Sequence, residues 1–198
     1  MTETATKIEE IFKSKSPNMW EELVNSGLFA EAVGKDLADA VINCPQISKW
    51  HPEGSLYNHM DMVFRNAVDA GEDDLDVYFS LLLHDVSKPE CIHYHYTEGG
   101  CIERTSFYNH DHKGAKVAGG ILENLALDEN RVEKITFIIS QHMRVAQVKS
   151  MRRHKVEELV NHKWLNSLLS MHNYDDMVNE VSPDTEWILD YLLCREEE

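Results

Sequence analysis

Leu75-Asp76-Val77-Tyr78-Phe79-Ser80-Leu81-Leu82-Leu83-His84-Asp85-Val86 is the stretch that decides how this chain is read. It is apolar almost all round a helical wheel, which predicts a central buried helix rather than a surface one. Its last turn carries the information. His84 and Asp85 stand side by side at the most hydrophobic place in the sequence. Burying an imidazole and a carboxylate there costs several kcal/mol unless both are paired or hold a metal ion.

Toward the N-terminus, Asp69 to Asp74 reads as an acidic turn. Before it, Leu56, Met60, Val63, Phe64 and Ala67 mark an amphipathic helix, with His59 on its inner edge. Cys44 to Ser55 is a loop containing Pro45, Pro52 and Gly54. Residues 17 to 42 predict two short helices. Ser16 caps the first, Pro17 takes its first helical position, and Gly34 is placed to interrupt the second.

Toward the C-terminus, Pro89 ends the central helix. Cys91 to Thr97 and Cys101 to Phe107 flank Glu98-Gly99-Gly100 and predict a β-hairpin. Asn109 or Asp111 caps a helix with the stripe Ala115, Ala118, Ile121, Leu122 and Leu125. Asp128 caps another, on which Ile135, Ile138, Ile139 and His142 share a face. One helix or two run from about Lys155 to Asn179, where Asp175 lies almost in line with Trp164 and Leu168. Ser182-Pro183 breaks this run, and Glu186 to Cys194 forms a last short helix before a frayed tail at Arg195 to Glu198. The expected fold is all-α, a helical bundle with one small inserted hairpin.

Four of these helices therefore each aim a polar residue of ligand type at the core: His59, His84 with Asp85, His142, and Asp175. A single inward histidine reads first as a hydrogen-bonded core residue, and a lone His-Asp dipeptide occurs by chance. The combination on four helices favours a metal site. Imidazole with carboxylate suits divalent Mn, Ni, Co, Fe, Mg or Zn.

The rest of the composition narrows the classes. The chain has 198 residues, enough for a substantial core. No apolar run approaches the roughly 18 residues of a membrane span, and Met1 to Glu10 lacks the basic start and apolar middle of a signal peptide. Cytoplasmic residence is the expectation, with Cys44, Cys91, Cys101 and Cys194 as free thiols. A formal net charge of -16 argues against a grip on long nucleic acid but not against a small phosphorylated substrate in a locally positive pocket. Nothing in the sequence sets an oligomeric state.

His59…His84-Asp85…Asp175 resembles the HD superfamily of metal-dependent phosphohydrolases, an all-α fold named for its His-Asp pair. The likeness is closer to the HD domain of bacterial CCA-adding tRNA nucleotidyltransferases. His51-Pro52-Glu53-Gly54-Ser55-Leu56-Tyr57-Asn58-His59 is similar to the segment opening that domain, and Leu81-Leu82-Leu83-His84-Asp85-Val86-Ser87-Lys88-Pro89 to its central helix. Asn109-His110-Asp111-His112-Lys113-Gly114-Ala115 resembles its Gly-His-Glu-x-x-Gly-Ala box, and Gln141-His142-Met143-Arg144 its next histidine-bearing helix end. These 198 residues hold no stretch resembling the nucleotidyltransferase head, so the HD part is expected to stand alone. The family's Arg-Ala-Asp is replaced by Asn173-Tyr174-Asp175, which leaves Asp176 as a competing ligand.

The resemblance implies residues 45–180 as the phosphohydrolase domain, 1–44 as a helical extension packed on it, and 181–198 as a C-terminal helix and tail. It implies one or two divalent ions. His59, His84, Asp85 and Asp175 would hold the first, and His110 and His142, with Asp85 bridging, the second. Asp85 and Lys88 would serve the chemistry, with Lys88 and Arg144 meeting substrate phosphate. The implied activity is hydrolysis of a small nucleotide, either a 2′,3′-cyclic phosphodiester or a nucleoside monophosphate. A (deoxy)nucleotide phosphohydrolase of other specificity and a non-catalytic nucleotide-sensing module are the alternatives. His93 and His95 alternate along the hairpin and are expected to face solvent or form a lid. His112, His154 and His162 are expected at the surface.

Overall fold

The computed structural model describes residues 1–49, 51–176 and 181–196. The chain is mostly helical, with one two-stranded antiparallel hairpin, in the order α1 (Glu3–Ser14), α2 (Met19–Asn25), α3 (Leu28–Val33), α4 (Lys35–Ile42), α5 (Leu56–Asp69), α6 (Leu75–Leu83), α7 (Lys88–Cys91), β1 (Ile92–Tyr96), β2 (Ile102–Phe107), α8 (His110–Asn124), α9 (Glu129–Val145), the 3-10 turn η1 (Val148–Ser150), α10 (Arg153–Val160), α11 (Leu165–Asp175) and α12 (Pro183–Glu196). No helix among the described residues is long and apolar enough to cross a membrane.

The centre is α6, buried from Val77 to Leu83 as its all-round hydrophobicity requires. Helices α1, α5, α8, α9 and α11 pack around it. The first of these was not anticipated from the polar N-terminus. Thr2 caps it by accepting from Ala5 N, and its period of three and four buries Ala5, Ile8 and Phe12. Phe12 then stacks on Tyr78 at 5.2 Å and meets Phe79 edge-on at 5.2 Å, which ties α1 to the central helix.

Several expected boundaries move. Residues 17 to 42 form three helices, not two, because Gly27 and Gly34 both adopt positive φ and interrupt the run. Ser16 and Pro17 lie in the turn before α2, where Ser16 O accepts from Met19 N. The central helix stops at Leu83, not at Pro89. Pro89 has no N–H to give to Asp85 O, and Lys88 N takes that carbonyl at 2.9 Å in a tighter turn. Pro89 instead sits in the first turn of α7. The run from Lys155 becomes α10 and α11, separated at Asn161–Trp164, and its expected end at Asn179 lies outside the described residues, as do Glu197 and Glu198 of the tail. Ser182 opens α12 rather than merely breaking a helix, its Oγ accepting from Thr185 N at 3.2 Å. Asn109 occupies the position before α8 in a left-handed conformation with φ 58 and no side-chain cap bond. Asp128 caps α9 as expected, accepting from Arg131 N. The hairpin pairs Ile92 with Phe107 through Tyr96 with Ile102. All four cysteines are free.

Candidate metal centre

Helix ends deliver the cluster. His84 is the C-cap of α6, Asp85 follows it in the turn, His142 lies in the last turn of α9, and Asp175 is the last residue of α11. Three helix C-termini thus converge, and the partial negative charge at each favours a cation between them. His59 comes from the first turns of α5, and His110 is the first residue of α8. Gly114 lets α8 approach the His84 turn. A Cβ there would stand 3.0 Å from His84 O and 3.4 Å from Ser87 Oγ. Ser87 Oγ in turn donates to His110 O at 2.8 Å, which seats the N-terminus of α8 against the His-Asp pair.

The donor atoms fall into two groups that share Asp85. In the first, His59 Nε2 lies 2.9 Å from Asp175 Oδ1 and 3.5 Å from Asp85 Oδ2. His84 Nε2 lies 3.2 Å from Asp85 Oδ2, 3.4 Å from Asp175 Oδ1 and 3.4 Å from His59 Nε2. In the second, His110 Nε2 lies 3.4 Å from Asp85 Oδ1 and 3.2 Å from His142 Nε2. A divalent ion with bonds of about 2.1 Å spaces its neighbouring donors about 3.0 Å apart in an octahedron and about 3.4 Å in a tetrahedron. The first group already has that spacing. His59, His84 and Asp85 can together hold an ion, as can Asp85, His110 and His142, and all of these residues are buried.

Hydrogen bonding shows what the cluster lacks. His84, His110 and His142 each place Nδ1 on a backbone carbonyl, of Leu81 at 2.9 Å, Phe107 at 2.8 Å and Ile139 at 2.6 Å. A carbonyl only accepts, so each Nδ1 carries the hydrogen and each neutral ring turns an Nε2 lone pair inward. Neither oxygen of Asp85 receives a hydrogen bond. Lys88 Nζ stands 2.6 Å from Asp85 Oδ2 as a charge partner, while its hydrogen bond goes to Gln46 Oε1 at 2.7 Å. Protons answer part of the deficit. Burial opposes charge on His84, but Asp85 and Asp175 lift its pKa to about 10, and His59 is raised against burial mainly by Asp175 and Glu53. Burial opposes the charged form of both carboxylates too, yet the histidines hold each well below the usual carboxylate range. Protons do not answer the rest. Burial pushes His110 down and His142 down to about 4, so two lone pairs confront each other at 3.2 Å with no hydrogen between them. These buried His and Asp groups can hold a metal ion, and the residues present fit one.

Glu53 completes the support, a residue whose role the sequence did not disclose. Its Oε1 lies 2.9 Å from His51 Nδ1 and 3.2 Å from His59 Nδ1, the pattern of a carboxylate that orients a ligating imidazole. Burial acts to raise the Glu53 pKa, and the bonds from His59, its own backbone and His51 overcome this and bring it down to about 2. The signal was present in the alternation His51-Pro52-Glu53, inside a segment singled out for its likeness alone.

Of the residues expected at the site, the structure brings together His59, His84, Asp85, Lys88, His110, His142 and Asp175. Arg144 is not brought in. Its guanidinium bonds Gln141 Oε1 and the Lys155 carbonyl. Asp175 rather than Asp176 joins the histidines, because Asp176 is the exposed C-cap of α11. On the hairpin, His93 is exposed and His95 bonds Ser106 Oγ at 2.9 Å. His112 and His154 are exposed, and His162 stacks on Phe137.

A cleft of about 1330 Å³ opens over the cluster, with His110, His142 and Asp175 in its lining. Most small-molecule sites occupy roughly 300–1,000 Å³, so a nucleotide fits. Lys88 and Arg104 add positive charge to its wall. A separate hollow of about 380 Å³ beside Trp187 and Tyr191 touches none of the cluster. No family model matches this chain, and no curated protein matches its sequence.

Proposed function

We propose that this protein is an HD-type metal-dependent phosphohydrolase that cleaves a phosphomonoester or cyclic phosphodiester of a small nucleotide. One observation carries the reading. His110 and His142 oppose their Nε2 lone pairs at 3.2 Å, beside an Asp85 Oδ1 that no hydrogen bond satisfies. Buried acceptors without donors are expensive, and a cation held by all of them removes the expense. The order His59, His84-Asp85, His110, His142, Asp175 along the chain agrees with the resemblance to the HD superfamily.

His59, His84, Asp85 and Asp175, with His110 and His142, would hold a divalent ion, which would supply Lewis acidity toward a water nucleophile and toward phosphoryl oxygens. The side chains do the remainder. Asp85 divides its two oxygens between the two donor groups. Lys88 keeps Asp85 ionised and adds positive charge to the floor that a phosphoryl group would approach. Arg104 in the cleft wall offsets the repulsion that a chain of net charge -16 exerts on an anionic substrate.

The test is hydrolysis of bis-p-nitrophenyl phosphate and of a panel of nucleoside monophosphates and 2′,3′-cyclic nucleotides, with Mn, Ni, Co or Mg. Wild-type protein is expected to turn over at least one of these only with metal present. Asp85→Ala should lose about 10²–10³-fold or more while keeping its helical circular dichroism. Full activity in metal-free Asp85→Ala refutes the mechanism. Nucleotide binding with no turnover under any metal leaves a sensor in place of an enzyme.

A further inference from the structure

The C-terminal end of α11 holds two polar side chains that the metal cluster does not use. His172 is only 3% exposed, yet it lines the cleft, and its Nε2 has no hydrogen-bond partner among the described residues. Asp176 lines the same cleft one helical turn further on, where its N–H donates to His172 O at 2.9 Å. Residues spaced i and i+4 are neighbours on a helix surface, with Cβ atoms about 5–6 Å apart. The imidazole and the carboxylate therefore stand side by side at the cleft wall. Asp175, between them in sequence, reaches the metal-type donors instead, with Oδ1 2.9 Å from His59 Nε2. A subsite thus adjoins the expected phosphoryl position on the same helix end.

We propose that His172 and Asp176 read neighbouring hydroxyl groups on the sugar of the substrate. The preferred ester is then a ribonucleoside phosphate whose 2′ and 3′ hydroxyls are both free. This proposal rests on the phosphohydrolase reading and narrows it. An ionised carboxylate only accepts, so it asks for an O–H donor. A hydroxyl both donates and accepts, so it satisfies His172 Nε2 in either tautomer. A vicinal diol supplies two such groups on adjacent carbons. A 2′-deoxy sugar offers one, and a 2′,3′-cyclic ester offers none. Positive charge lies elsewhere in the cleft, at Lys88 and Arg104, so phosphate and sugar have separate walls. An analogue lacking the hydroxyl leaves the buried nitrogen unpaired, and sites built on such bonds discriminate strongly.

The experiment compares each ribonucleoside 5′-monophosphate with its 2′-deoxy counterpart, for all four bases, on the Mn-loaded full-length protein. The readout is the ribo/deoxy ratio of kcat/KM, and of Kd by calorimetry if nothing is turned over. The wild type should favour ribose by about tenfold or more for at least one base. His172→Ala should bring that ratio to within about twofold of unity, and Asp176→Asn should lower it part of the way. Both members of a pair are measured on one preparation, so a variant that folds poorly still reports its ratio. Absence of ribose preference in the wild type, an unchanged ratio in His172→Ala, or failure to bind either nucleotide overturns the subsite. Binding with the expected ratio but without hydrolysis overturns the phosphohydrolase reading and leaves the subsite standing.

Discussion

The two ends of α6 carry opposite kinds of polar cluster. At the N-terminal end every carboxylate meets a donor. Arg131 bonds Asp76 Oδ1 at 2.6 Å and Glu9 Oε1 at 2.7 Å, while Lys134 Nζ at 2.6 Å and Ser167 Oγ at 3.0 Å meet Asp74 Oδ2. At the C-terminal end the Nε2 atoms of His110 and His142 face each other as acceptors, while Lys88, His84 and His59 bring positive charge to Asp85 Oδ2. The first arrangement pairs its carboxylates, although Arg131 Nη2 finds no acceptor among the described residues, and pins α1 and α9 to the central helix. The second presents buried acceptors that can take a cation the chain does not supply. Partner balance, more than burial or charge, separates a structural cluster from a candidate site.

The contrast is sharpest in metal-free protein. Arg131→Met leaves Glu9 Oε1 and Asp76 Oδ1 without their donor, on side chains 7% and 14% exposed that keep Lys13 and Lys134 as partners. Breaking a fully buried pair costs about 3–5 kcal/mol, and here, with Arg131 one-fifth exposed, about 2 kcal/mol is expected. His142→Leu removes a buried ring whose lone pair is opposed, and should be no less stable than wild type in urea melts with EDTA. A His142→Leu protein as damaged as Arg131→Met would make the C-terminal cluster a structural one as well.

Metal affinity gives a smaller effect. Glu53→Gln leaves every donor atom in place but weakens the carboxylate that orients His59. Loss of such support lowers affinity about 10–100-fold. Mn titration followed by calorimetry should show that drop with no change in the number of ions bound. An unaltered affinity would separate Glu53 from the metal centre.

The smallest expected effect is that of pH on the paired end. Burial acts to raise the Glu9 pKa, and the bonds from Arg131 and Lys13 overcome it and hold the group below its ordinary 4.5. A depressed folded pKa means stability fully present above 4.5 and lost as pH falls through the folded value. Glu9→Gln should therefore lie below wild type by about 1 kcal/mol at neutral pH and converge on it in acid. A gap that persists unchanged in acid would assign the loss to packing.

Local periodicity made much of this legible. Helices α5, α6, α8 and α9 follow from apolar stripes, and the hairpin follows from its Gly-Gly turn. Where two glycines with positive φ interrupt a run, or where Pro89 moves the stop back to Leu83, the boundary depends on which carbonyl wins which N–H. Helix α1 escaped because only its buried face is apolar, and that face matters only once Tyr78 and Phe79 stand opposite it.

The sequence by itself determined that His59, His142 and Asp175 point inward, because helical phase is a property of local spacing, and it set His84 and Asp85 at the end of the most hydrophobic run. Carbonyls three residues back hold the Nδ1 atoms of His84, His110 and His142, but only the tertiary structure decided which groups their Nε2 atoms confront at the centre. It likewise gave Lys88 to Asp85 and Gln46, sent Arg144 away to Gln141 and the Lys155 carbonyl, and left the buried His172 Nε2 without a hydrogen-bond partner beside the cleft. The bonds from Lys88 to Gln46 and from Arg144 to the Lys155 carbonyl join separate elements, and no spacing rule encodes the partner at the far end of a long side chain.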